Sequence, residues 1–556
     1  MARKLFSESL SDFFAGKKYE ARLKLEEAMT NQIYLKDVPY FWYYAAKLDL
    51  LLGNVEKAKE DLNNILFFSP SNGEAISLLN FIKSLNNIEK TSSPQVKIKE
   101  LKKIENIINA NEKFFIANDF VVVNSFVYLL DIQNRLIYYT NLDNSYENWI
   151  KLPKAIDKSF VPFKLYYDNR TDYFYISGST GLYVIKNFSK QKDFYFQKLN
   201  DYNNLLLIGL DRIGRFWTYY AQNNSILILD YNGNLLEKIP LNSKYVITSG
   251  SYSNNRINLL DIKNKQIIVY STISKKIVEI IPLKNKHFPL KVISLPYNIY
   301  LISFMNDGTY LFQNNKFIKL FNFPYLLNYK NGILMKFDYK KYELVIDRID
   351  FISDAIPYYV FLYGIDFNIP NMTLNLKIST ISPESNLIDF IDKKIYITDS
   401  EGRYAFTYQK KLKTPYFYKF DNMEHLFLEM LPLLKNDSIV ILNDKENSNF
   451  EKYINIKNIT PFIFTNMSLY VITNNPVSEK VRKLINLTGG CIVPNDYFNV
   501  FENYINNNKK IIQNITYKIF PPIAPGIRPV KIYLQIDSKI ISDTMYYYSE
   551  GVGIAE

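Results

Sequence analysis

The sequence predicts a multidomain chain: helical repeats first, then a six-bladed all-β propeller, then a small β unit and a truncated α/β domain. Three observations predict it. Small residues recur at helix-packing positions near the N-terminus, with a step of 37 residues from Ala21 to Ala58. Six pairs of apolar strands, each folded about a polar turn, follow one another between residues 104 and 354. Two continuous apolar strands, Ser438 to Leu442 and Ser468 to Thr473, then alternate with helical segments, the pattern of a parallel sheet covered on both faces.

Composition bounds the class. Hydrophobic residues make up 47% and charged residues 22%, enough apolar surface to offset the entropy of ordering, which excludes wholesale disorder. Tyr (46) and Phe (39) outnumber Gly (18), a balance that suits sheets. The formal charge of +12 is dispersed; the densest runs, "KKLK" at Lys410 to Lys413 and "NNNKK" ending at Lys510, fit solvated loops, so no nucleic-acid partner is expected. A single cysteine, Cys491, excludes an internal disulfide. No apolar run approaches the roughly 18 residues that span a bilayer, so no integral membrane segment is expected. Charges interrupt "MARKLFSESLSDFFAGKKYEARLK" too often for a signal peptide, so the expected compartment is cytoplasmic.

The first region, 1–92, is helical. "WYYAAKLDLLLGNVEKAKEDLNNILFFSPSNGEA" spaces Trp42, Ala46, Gly53, Ala58, Leu62 and Pro70 so that small residues let two helices approach, Gly53 turns the chain and Pro70 ends the second helix. Gly16, Ala21, Leu25 and Ala28 repeat the pattern earlier, and "GEAISLLNFIKSL" adds a further helix. The spacing resembles the tetratricopeptide repeat, whose period is about 34 residues, with the extra residues assigned to "YLKDVPY". That resemblance implies a partner groove, with Trp42, Tyr43, Ala46, Gly53, Ala58, Leu62 and Pro70 as its packing and groove residues. The aromatics Trp42, Tyr43 and Tyr44 fit helix packing better than base stacking, since no basic patch accompanies them.

The stretch "NNIEKTSSPQVKIKE", Asn86 to Glu100, is polar with Ser-Ser-Pro inside it, and residues 93–103 are expected to be a linker. Over 104–354 the period changes to two, as in "SFVYLLDIQNRLIYYTN", "DYFYISGSTGLYVIKN" and "NRINLLDIKNKQIIVYSTISKK". The middle units recur at close to the roughly 40 residues of a four-stranded blade. "DRIGRFWTYYAQNNSILILDYNGNLLEKI", from Asp211, resembles an NHL-type repeat.

Residues 355–413 predict a small β-sandwich-like unit, and 414–556 the α/β domain with C-terminal strands. In "PVSEKVRKLINLTGG", Val477, Val481, Leu484 and Ile485 share one face, Pro476 opens the helix and Gly489 closes it. The succession of "SLYVIT", helix, Gly489-Gly490 turn, short strand and "NDYFNVFENYIN" resembles the C-terminal half of a von Willebrand factor A domain. That family holds a divalent cation through an Asp-x-Ser-x-Ser loop. Here Asp421 is followed by Asn422, Met423, Glu424 and His425 with no hydroxyl pair, so Asp421 is expected to cap a helix and the glycine turn to be structural.

Catalytic constellations are scarce. Two histidines, His287 and His425, and one cysteine leave a zinc site almost no ligands, and no G-x-S-x-G elbow supports a serine hydrolase. Paired carboxylates would permit a glycosidase-like site, but Asp211 and Asp230 fit turns better. "GVGIAE", from Gly551, imitates a dinucleotide loop with no helix to follow. No catalytic residue, cofactor or metal is therefore expected. The expected function is a non-catalytic scaffold whose partners are other proteins of a larger assembly. The alternatives are a carbohydrate- or peptide-processing enzyme and a ligand sensor, with a site on a propeller face. The order of the three regions resembles the collar proteins around the spirochaete flagellar motor, which implies a periplasmic location if it holds or if an N-terminal segment is missing.

Overall fold

Five helices open the computed structural model. It describes residues 1–31, 38–86, 94–104, 116–123, 126–142, 147–152, 159–168, 170–186, 195–253, 255–285, 287–322, 326–330, 332–338, 343–352, 359–368, 373–381, 394–398, 407–444, 450–507, 510–518, 526–536 and 539–549. Helices α1 (Ala2–Phe14) and α2 (Lys18–Thr30) fold back on each other, as do α3 (Val38–Leu51) and α4 (Val55–Phe68); α5 (Gly73–Asn86) packs on α4. Gly16 and Gly53 turn the two pairs with φ of 83° and 81°, a conformation a side chain would strain. Ala21 and Ala58 are fully buried, where a larger side chain would part the helices. Pro70 lies exposed just beyond α4, and "YLKDVPY" begins outside the described residues.

Six four-stranded sheets follow. Their inner strands, Ala117–Val123, Pro162–Asp168, Leu205–Leu210, Ile247–Ser253, Pro289–Leu295 and Leu326–Lys330, contact one another in sequence, and the last contacts the first. This closes a six-bladed β-propeller. Blades 1 to 5 are each four consecutive strands. Blade 6 takes its outermost strand from the other end of the region: Gln95–Ile104 pairs antiparallel with Glu343–Ile352, Gln95 opposite Ile352 and Ile104 opposite Leu344. The segment expected as a linker over 93–103 is thus the strand that fastens the ring. It looks like a linker because an outermost blade strand is largely solvated and carries few apolar side chains.

The C-terminal region also departs from the expected boundaries. One sheet orders Tyr359–Asn368, Thr373–Ile381, Lys510–Lys518 and Thr407–Lys413; a second orders Lys394–Thr398, Gly526–Ile536 and Lys539–Ser549. The strands after residue 509 therefore belong with the small β unit rather than with the α/β domain, Leu374 standing opposite Tyr517. Between them is inserted a parallel sheet in chain order, Phe417–Phe420, Ile439–Asn443, Ser468–Ile472 and Ile492–Val493, with helices α6 (Ile456–Phe464), α7 (Glu479–Leu487) and α8 (Phe498–Asn506). Lys410 to Lys413 lie in a strand rather than a loop, and 551–556 fall outside the described residues.

The parallel strands explain how the parts cohere. Val440, Leu442, Leu469 and Val471 join a core that runs through the N-terminal helices and the β unit. Ile439, Ile441, Tyr470 and Ile472 point the other way, into a core shared with α8 and blades 2 and 3. Alternate side chains of a strand face opposite sides, so continuous apolar strands bind two partners at once. Among the described residues no helix is long and apolar enough to cross a membrane.

Candidate functional site

The residues offered as a partner groove are filled from within the chain. Ala46, Ala58 and Leu62 are fully buried, and Trp42 is partly buried against the same core. A Cβ on Gly53 would stand 2.7 Å from the Lys457 carbonyl of α6. Tyr43 donates its hydroxyl to Asp543 Oδ1 at 2.7 Å, and Lys47 Nζ lies 2.6 Å from Asp543 Oδ2. The β unit and α6 pack directly against these helices.

The glycine turn has a docking role that its sequence does not disclose. Gly489 has φ of 82°, and a Cβ on Gly490 would meet the Leu469 carbonyl at 1.7 Å. Arg212, in a blade 3 loop, donates to the Gly490 carbonyl at 2.8 Å and to Asn486 Oδ1 at 3.2 Å. Nearby, Tyr504 donates to Asp168 at 3.0 Å, and the Arg215 guanidinium lies 4.2 Å from the Tyr497 ring centre. Asp211 is a turn residue, accepting from the Ile213 and Arg215 amides, and it also holds the Arg215 and Trp217 side chains. Asp230 accepts from the Asn232 and Asn234 amides of its turn. One propeller face is thus covered by the α/β unit. Burial pushes the Cys491 thiol up to about 12, so it is not a thiolate at neutral pH.

At the C-terminal ends of the parallel strands, Asn443 donates to Asp421 at 3.1 Å, while Thr473 and Asn475 donate to Asp444 at 3.1 Å. The cap of the helical segment starting at Met423 is Asn422, not Asp421: its Oδ1 accepts from the His425 amide. His425 pairs with Glu429, and His287 lies 3.9 Å from Asp307 in the propeller. Among the described residues no group of three or more His, Cys, Asp or Glu could hold a metal ion.

Among the described residues the other propeller face is open. Five inner strands carry a β-bulge near their start, and the residues after it, Asp119, Lys164, Ser249, Lys291 and Asn328, sit at one level around the axis. A cavity of about 480 Å³ at the open end is lined by Asn118, Phe163, Lys164, Thr248, Leu290 and Lys291. A second, of about 410 Å³, continues toward the covered face, lined by Lys164, Tyr166, Ser251, Lys330 and Arg212. Asp119 is buried; its oxygens accept from the Leu165 amide at 3.0 Å and the Asn328 amide at 2.6 Å, with Lys164 Nζ at 3.7 Å. Burial, then repulsion from Lys164, lowers the Lys291 ammonium to about 7; burial lowers Lys330 to about 8. Around the mouth, Val161, Val246, Phe288, Leu290 and Met305 are 39–50% exposed.

Sequence reasoning missed this channel, although a signal existed. Blades 2 and 5 begin with the same pattern, "VPFK" at Val161 and "FPLK" at Phe288, a Pro that starts the inner strand and a Lys just past the bulge.

Comparison with known proteins assigns no family. No family model matches the chain, and no curated protein is similar to it. Among solved structures, virginiamycin B lyase from Staphylococcus aureus aligns at 11% identity over 46% of this chain and 99% of its own, with a TM-score of 0.35. A luciferin-regenerating enzyme aligns at 10% identity over 47% of this chain and 98% of its own, TM-score 0.35. The Pan2 WD40 domain of Neurospora crassa aligns at 10% over 46% and 96%, TM-score 0.32. The propeller itself stands on the strand pairings.

Proposed function

We propose that this chain is a non-catalytic assembly scaffold that holds protein partners on the open face of its propeller. The observation that carries this reading is the exposed apolar set Val161, Val246, Phe288, Leu290 and Met305 around the channel mouth. Apolar side chains presented together on the loops of a rigid disc suit a protein contact. The N-terminal helices support a tetratricopeptide-like assignment through Gly16 and Gly53, Ala21 and Ala58, Leu25 and Leu62, each pair 37 residues apart and buried or left-handed alike. We take the parallel unit as a degenerate von Willebrand factor A-like domain on its strand order and its glycine turn. Asn443 and Asn475 amides bond Asp421 and Asp444 where that family keeps an ion. The resemblance to collar proteins makes a flagellar-motor collar, or another large envelope-associated complex, the proposed setting.

A ligand sensor, or a carbohydrate- or peptide-processing enzyme, on the same face is the second reading, and the polar channel favours it. Affinity purification of the full chain from native cells separates the two. Phe288→Glu with Leu290→Glu should abolish the proteins that co-purify with the wild type while leaving the melting temperature unchanged. Partners retained by the double variant, or none with the wild type, would defeat the scaffold reading.

A further inference from the structure

We propose that the central channel of the propeller binds a small multivalent anion, a phosphate- or carboxylate-bearing molecule that enters from the open face. The channel brings three ammonium groups, Lys164, Lys291 and Lys330, around one carboxylate, Asp119. That carboxylate is already engaged by the Leu165 amide and Asn328 as well as by Lys164. Lys330 rests 4.6 Å from the Tyr166 ring centre, and among the described residues no carboxylate lies within ion-pair distance of it. Lysines drawn together in a cleft with low-dielectric walls focus a positive potential that an anion relieves.

The space suits this occupant. Cavities of about 480 and 410 Å³ share Lys164, and volumes of this order hold small-molecule ligands. Polar side chains complete the lining: Ser249 and Ser251 on blade 4, hydrogen-bonded to Val292 and Ser294 of blade 5, and Asn328 on blade 6, hydrogen-bonded to Asp119. Arg212 and Asn486 line the end toward the covered face. The inference is independent of whether the apolar rim holds a protein.

The lowered affinity of Lys291 and Lys330 for protons fixes a pH signature. Lys291 faces Asp119 and Lys164 from neighbouring blades, and Lys330 faces the same two groups and the Tyr166 ring. An anion restores the charged form, so binding takes up protons and weakens as pH rises through about 7 to 8.

The test uses the full chain at low chloride, titrated with pyrophosphate and, separately, citrate, and read by calorimetry and thermal shift. At least one probe should give saturable binding and a raised melting temperature, stronger at pH 6.5 than at pH 8.5 by about tenfold. Lys291→Gln and Lys330→Gln should each weaken it by about tenfold or more, because each removes a charge-assisted contact. Both variants should fold, since each removes a cation that burial disfavours. Lys319→Gln, on the outer part of blade 5, should bind as the wild type does. Pyrophosphate alone would assign a phosphate ligand, citrate alone a carboxylate. No saturable binding of either probe, an equal thermal shift from sodium chloride at matched ionic strength, or binding unweakened in both lysine variants would overturn the proposal.

Discussion

Asp543 should be the most sensitive single position for the union of the helices with the β unit. It is fully buried, and its carboxylate accepts from Tyr43 at 2.7 Å, Lys47 at 2.6 Å, the Leu362 amide at 2.6 Å and the Thr544 amide at 2.9 Å. Asp543→Asn keeps the shape but loses an acceptor oxygen, since all four partners donate and an amide nitrogen cannot accept, and it leaves the buried Lys47 ammonium without its counter-ion. Removing one partner of a buried pair costs about 3–5 kcal/mol. A ceiling follows from Lys47 itself, whose affinity for protons burial already lowers. It can escape the penalty by shedding its proton. From a free pKa of about 10.4 at about 1.36 kcal/mol per unit, that costs roughly 4.6 kcal/mol at pH 7 and about 1.9 at pH 9. The folded-state pKa is the depressed one, so the penalty is full below it and fades as pH rises toward the unfolded value. Urea unfolding, with hydrogen exchange at the α3 amides to identify the transition, should show Asp543→Asn destabilised by at least about 3 kcal/mol at pH 7 and by about 1–2.7 kcal/mol less at pH 9, the part that remains being the lost acceptor of the Leu362 amide. Lys47→Met added to it should recover the pH-dependent part of the loss, because no buried charge then remains. A gap under about 1 kcal/mol at pH 7, or one that does not shrink with pH, would refute this account of the interface.

Four further outcomes are expected. Asp61, buried beside Asp49 and Arg22, is pushed up to about 8, first by burial and then by Asp49. Its folded pKa lies above its unfolded value, so stability falls as pH rises from about 4 to 8, and Asp61→Asn should flatten that stretch of a pH–melting curve. Ala58→Arg puts a long cation into the fully buried α3–α4 contact and should cost several kcal/mol, on the order of a lost core contact, seen as reduced helical circular dichroism; full helicity would refute the packing. Gly214→Ala combines a φ of 82° with a Cβ 2.3 Å from the Tyr504 ring, so limited proteolysis should show the α/β unit released from the propeller while each stays folded. Melting curves in EDTA and in excess Mg²⁺ should coincide, given the Asn443 and Asn475 amides on Asp421 and Asp444; a reproducible rise with Mg²⁺ would refute it.

The sequence by itself determined the local architecture. Gly16 and Gly53 dictate the helix turns because only glycine adopts their φ without strain, and Ala21 and Ala58 dictate close helix contact because nothing larger fits. Alternation of period two with Asp and Gly turns determined the strand pairs of the propeller, since these signals act within a few residues. What only the tertiary structure decided are the pairings between distant segments. Gln95–Ile104 joins Glu343–Ile352, Thr373–Ile381 joins Lys510–Lys518, and Asp543 meets Lys47 across nearly the whole chain. A strand's own residues specify that it must pair, through unsatisfied amides and one apolar face, but not with which partner. The lysine ring in the channel has the same origin: Lys164, Lys291 and Lys330 are unremarkable one by one, and closing the ring is what places them around a single carboxylate.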